Sequence, residues 1–83
     1  MPHYFFDFRG RRGVFVDETG TECANLAKAR EEAFRVLVEM ALEEGRGTED
    51  YGNAVTIRND WGGVIATVSL SVATRWTHAS EVY

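Results

Sequence analysis

"NLAKAREEAFRVLVEMALEEG", residues 25–45, is the stretch on which the fold turns. Leu26, Ala29, Ala33, Val36, Leu37 and Met40 recur in steps of three and four, the spacing of one face of an α-helix. Phe34, Val38, Ala41 and Leu42 widen that apolar stripe, while Lys28, Arg30, Glu31, Glu32, Arg35 and Glu39 take the wet side. Asn25 suits an N-cap, because its side-chain oxygen can accept from the free N–H groups of the first turn. Gly45 suits a stop, expected in the left-handed conformation that costs glycine nothing. One helix of about five turns is predicted.

On both sides of this helix the period drops to two. In "HYFFDF" (3–8), Tyr4, Phe6 and Phe8 point one way and His3, Phe5 and Asp7 the other, as in a half-buried strand. "RGRRG" (9–13) supplies a turn, "VFV" (14–16) a short return strand, and "DETG" (17–20) a second turn. After the polar loop "RGTEDYG" (46–52), "NAVTIRN" (53–59) alternates again. The glycine-rich "DWGG" (60–63) then leads into "VIATVSLSV" (64–72), the cleanest strand of the chain. The order is β-β-α-β-β, two hairpins joined through one helix.

A single helix covers one face of a four-stranded sheet, so the expected fold is α+β, a two-layer sandwich. It forms one domain over residues 1–83, with 73–83 frayed or packed back. The first and last strands are the most apolar, which favours 2-1-4-3 as their order, with 2-1-3-4 the alternative. Tyr4, Phe6 and Phe8 belong to the core on this reading. A base-stacking platform would instead show its aromatics on the open face beside basic residues.

Phe5, Phe15 and Ile65 are left over and are assigned to the sheet face opposite the helix. Trp61 lies at a hairpin tip and Trp76 in the tail. These five form the candidate interaction surface, and self-association as a homodimer, through this face or a sheet edge, is the expected use of it. The alternatives are cover of Phe5 by the tail, through Trp76 or Tyr83, and an unrelated protein partner.

Composition narrows the remaining choices. Thirteen acidic against nine basic residues give a net charge of −4, so phosphate neutralisation is a poor source of affinity and nucleic acid is not the expected partner. Arg9, Arg11, Arg12 and Arg58 are the candidate anion contacts that would serve an alternative, nucleic-acid-associated or antitoxin-like regulator. Cys23 is the only cysteine, which fits a reducing cytoplasm. There is no secretory leader of the usual kind and no run long enough to span a bilayer.

His3, His78, Cys23, Asp17 and Glu18 have the atoms of a metal site without ligand spacing. No nucleotide-binding glycine framework is present, and Cys23 has no histidine placed beside it by sequence. The expectation is a non-enzymatic module with no cofactor and no metal.

Three stretches carry a family likeness. "MPHYFFDFRG", "DETGTE" and "NLAKAREEAFRVL" resemble a family of short bacterial proteins of unknown function. Its members open Met-Pro-x-Tyr-Phe-Phe-Asp/His, pass through a hairpin and an Asp-Glu-x-Gly turn, and carry an Asp/Asn-Leu-x-x-Ala-x-x-Glu-Ala helix. "TIRNDWGGVIATVSLS" resembles their second hairpin, so the likeness covers about residues 1–72. It implies the hairpin–helix–hairpin fold and transfers no activity to any residue. The chain departs from the family at Asp60-Trp61-Gly62-Gly63, where a charged turn is usual. The sheet-plus-helix layout is also similar to HicB-type antitoxin domains, in architecture alone.

Overall fold

The computed structural model describes residues 1–47 and 49–78. Strands β1 (His3–Gly10), β2 (Gly13–Phe15) and β3 (Thr21–Glu22) precede helix α1 (Leu26–Glu44), and β4 (Tyr51–Arg58) and β5 (Val64–Val72) follow it. All pairings are antiparallel, in the order β2-β1-β4-β5, with β3 also on β1. The α+β architecture of one helix on one sheet is therefore as the sequence predicts.

The favoured strand order is not. The alternative, 2-1-3-4, is the observed one: β4 lies at the centre and β5 at the edge. The apolar content of β5 favours a central place, but the helix packs over both β4 and β5, and β4 is the more buried because it has a strand on either side. On β4 the alternate residues Tyr51, Asn53, Val55 and Ile57 are buried, whereas no residue of β5 is.

Short β3 is an addition that two residues of sequence could not announce. It pairs with His3 and Tyr4, while β2 pairs with Phe8 to Gly10. Both lie along one edge of β1, and the chain between them loops out. Asp17 fills the gap: its Oδ2 accepts the N–H of Phe6 at 3.1 Å, a carboxylate standing where a strand carbonyl would otherwise be. Its Oδ1 accepts from Thr19 and Gly20 N–H, both at 3.0 Å, forming the tight turn of "DETG". Gly20 sits at φ +77°, and a Cβ there would lie 2.8 Å from His3 and 2.9 Å from Phe5. Only glycine meets both demands.

The helix begins as predicted, with Asn25 Oδ1 accepting the N–H of Lys28 at 2.9 Å. It ends differently. Gly45 has φ −92°, not a left-handed value, and donates its N–H to the Ala41 carbonyl at 2.8 Å. Glycine is needed there for space, since a Cβ would stand 2.8 Å from that same carbonyl oxygen and 3.4 Å from the Tyr51 ring.

Ala29, Ala33 and Leu37 form the buried line of α1, and the two alanines let the helix approach the sheet closely. They pack with Tyr4, Cys23, Val55 and Ile57, and Phe6, Phe8, Ala66, Val68 and Leu70 press against this cluster half-buried. Only Leu37, Ile57 and Val55 are large side chains in full burial among the described residues. This is a thin core, and much apolar surface stays outside it.

Candidate functional site

The face of the sheet away from the helix is organised by a charge network. Phe5 stands opposite Arg58, and Asp7 opposite Thr56. Arg58 donates through Nε to Asp7 Oδ2 at 2.7 Å, and through its NH2 nitrogen to Asp7 Oδ1 at 3.1 Å and the Asp17 carbonyl at 2.9 Å. Asp7 Oδ1 also accepts the Asp17 N–H at 3.0 Å. A planar guanidinium suits this two-pronged contact, and lysine could not reproduce it.

The hydrogen bonds from Arg58 hold the Asp7 carboxyl below its ordinary value of 3.8. At Asp17 burial opposes ionisation, but the N–H groups of Gly20, Phe6 and Thr19 outweigh it and its carboxyl is also lowered. Arg58 is raised in turn by its bond to Asp7. Acid–base catalysis wants a carboxyl poised near the working pH; these two are held ionised and tie the hairpin loop to the sheet.

Phe5 is less free than the sequence suggests. The Arg58 guanidinium lies over its ring, 5.1 Å from the centroid, and His3 packs beside it at 6.1 Å. Ile65 is the residue left without a partner at the irregularity in the β4–β5 register opposite Ile57 and Arg58, and is 38% exposed. Trp61 stands out at the tip of the β4–β5 hairpin, 92% exposed, and Trp76 is 49% exposed beyond β5. Tyr83, the other candidate cover for Phe5, lies outside the described residues.

Phe15 is a correction. It pairs with Phe8 in the β1–β2 register, so it belongs to the helix side of the sheet, not the opposite one. The miscount came from the turn, because one residue more or less between strands reverses every side chain after it. Phe15 and Phe8, with Val36 and Met40 of α1, line a groove of about 250 Å³ rimmed by Arg11, Arg12 and Glu44. An adjoining depression of about 200 Å³ brings in Glu43 and Tyr51.

The four candidate arginines do not converge. Arg58 is held by Asp7, and Arg9 lies further along the same face opposite Ala54. Arg11 faces the Glu49 carboxylate at 3.5 Å and donates to the Asp50 carbonyl at 3.3 Å. Arg12 shares the helix-side groove with acidic neighbours. Cys23 is buried, and that burial pushes its thiol up, away from the thiolate a nucleophile needs. Among the described residues no three of His, Cys, Asp and Glu gather as metal ligands do.

A sheet edge is the other route to self-association expected from the sequence, and the strand that forms it is β5, which the favoured order places at the centre. Because Phe6 donates outward to Asp17, the strict alternation of an antiparallel ladder turns the odd residues of β1 toward β4. Carried through both registers, Tyr51, Asn53, Val55 and Ile57 bond toward β5, where Val72, Leu70, Val68 and Ala66 answer them. The N–H and C=O groups of Thr67, Ser69 and Ser71 are left pointing off the sheet, and no strand meets them among the described residues.

Apolar residues of α1 flank its buried line on both sides. Val36 and Met40 face β1 and β2, as their groove with Phe8 and Phe15 shows. Phe34, Val38 and Leu42 lie on the flank opposite Val36 and Met40 and wind from the sheet toward the outer side of the helix, Phe34 starting nearest the sheet, with Phe34 50% and Leu42 60% exposed. The stripe predicted from sequence is thus wider than the sheet that receives it. That width was the available signal: ten apolar positions on one helix are more than four strands can cover.

Fold and surfaces together define a small domain of one helix on one antiparallel sheet. The chain belongs to the family described as Domain of unknown function (DUF6894), whose family model matches residues 3–71. No curated protein and no solved structure was found to match it. Among the described residues, no helix is long and apolar enough to cross a membrane.

Proposed function

We propose that this domain is a non-enzymatic interaction module that associates with itself and regulates or scaffolds a partner, in the reducing cytoplasm that a lone cysteine suits. The observation that carries the reading is the uncharged edge of β5, which no strand meets among the described residues, with Phe34 exposed on the flank of α1 away from β1 and β2. Soluble proteins ordinarily blunt such an edge with a lysine, a proline, a bulge or a covering segment. Here nine consecutive residues, Val64–Val72, carry no charge and no proline, and the register irregularity is confined to Val64 and Ile65 at the start of the strand. Leaving such an edge open fits a surface meant to be paired.

Two copies each carrying −4 repel one another, and added salt screens that repulsion. An apolar, backbone-paired contact therefore tightens with salt, whereas a phosphate contact made by Arg9, Arg11 or Arg12 weakens steeply. Light scattering behind a size-exclusion column, over a wide loading range at low and high salt, separates the readings. The expected mass is twice the 9.3 kDa of one chain, persisting in high salt. A monomer at every concentration would refute self-association.

A further inference from the structure

We infer that the partner at this edge is a second copy paired antiparallel with β5 about a two-fold axis at Val68. This rests on the self-association just proposed and adds the register. Val68 is the midpoint of Val64–Val72, and an axis there pairs Ala66 with Leu70 and Thr67 with Ser69, sets Val68 against its own copy, and brings Ser71 and Val72 opposite the irregular start of the strand at Val64 and Ile65.

Within the regular stretch, Ala66 to Leu70, each pairing joins like with like. On the helix side, valine meets valine and alanine meets leucine. On the open side, Thr67 meets Ser69, two hydroxyls that can bond across strands. Thr67 and Ser69 are also the residues whose backbone groups point outward, so they fall opposite one another as a hydrogen-bonded pair. Val68 then meets its own copy in a non-bonded pair, where side chains come closest. A two-fold interface must be complementary to itself, and this strand is.

Charge at the strand ends agrees. Antiparallel pairing lays the hairpin tip of one copy, with Asp60 and Trp61, alongside the segment of the other that leaves β5, with Arg75 and Trp76. Opposite charges and two exposed indoles are brought level. Both helices end on the same side of one continuous sheet, with Phe34 of each on the flank nearer the axis.

The test uses cysteine trapping in a Cys23→Ser background. Mild oxidation should link Val68→Cys to itself, while Thr67→Cys and Ser69→Cys should link efficiently only when mixed. These positions lie within disulfide reach across antiparallel strands, roughly 4.5–5.5 Å between Cα atoms. Val64→Cys alone should stay unlinked. A protein that is dimeric by light scattering but fails to link at Val68 overturns this register and leaves self-association standing; a monomer overturns both.

A second variant tests the edge without any cross-link. Ser69→Pro removes an N–H that points off the sheet and leaves the β4–β5 ladder intact, so it should give a folded monomer. A Ser69→Pro dimer would contradict the proposal.

Discussion

At the scale of the residue, the best-connected side chains lie on the open face. Asp7, Asp17 and Arg58 close a loop of bonds between β1, β4 and the turn after β2. Asp17→Asn keeps the turn oxygen for Thr19 and Gly20 but offers an amide to the Phe6 N–H, leaving that donor unmet at a cost of about 1–3 kcal/mol. Asp7→Asn gives up charge-assisted bonds to Arg58 and should cost about 2 kcal/mol. Both carboxyls are held below 3.8. The stability they add is therefore complete above that unfolded-state value and is lost as pH falls through their lower folded values. Urea titrations from neutral pH into that acid range should show a steep loss for the native chain and a shallower one for either asparagine variant. Equal slopes in all three would show that the network does not govern acid sensitivity. None of this network is legible from sequence: Asp7 and Arg58 are joined by a register, and "DETG" reads simply as a turn.

At the scale of the element, local rules carried a long way. Asn25 caps α1 because the residues near it in sequence are its partners, and period-two alternation marks β1, β4 and β5 for the same reason. What failed was non-local. The order of β4 and β5 depends on which of them pairs with β1, a long-range choice no local pattern encodes, and Ala29 and Ala33 hold α1 close over the resulting sheet. Ala33→Leu should therefore push the helix off the sheet and cost about 1–3 kcal/mol by overpacking. Phe34, one position away, should behave in the opposite way. Half-exposed on the β5 flank, Phe34→Ser should leave the thermal midpoint of dilute protein within a degree or two, roughly what a surface change gives. It should nonetheless raise the dimer dissociation constant by about tenfold or more, as losing a well-packed aromatic at an interface does. Sedimentation at graded concentrations reads that constant. An unchanged value would remove Phe34 from the interface. The placement of Phe15 shows the same limit from another side, since a strand of three residues sets no face of its own and takes it from Phe8 across the ladder.

At the scale of the whole molecule, core and surface are one problem. An 83-residue chain buries a smaller share of its surface than a larger domain can, and here just three large side chains are fully enclosed among the described residues. Pairing through β5 would add a strand partner to an edge that lacks one among the described residues and shelter Phe34 and Val72. Such pairing binds the folded chain and not the unfolded one, so stability must depend on concentration. The thermal midpoint of the native protein should rise steadily as it is concentrated, while Ser69→Pro should melt at one temperature throughout and match the native chain only at high dilution. If the native midpoint does not move with concentration, the thin core is sufficient by itself and the β5 edge serves a different chain. A rise in both proteins would place the self-contact elsewhere, with the Phe8–Phe15–Val36–Met40 groove the next surface to test. The pair of melting series thus measures whether this fold is finished by one chain or by two.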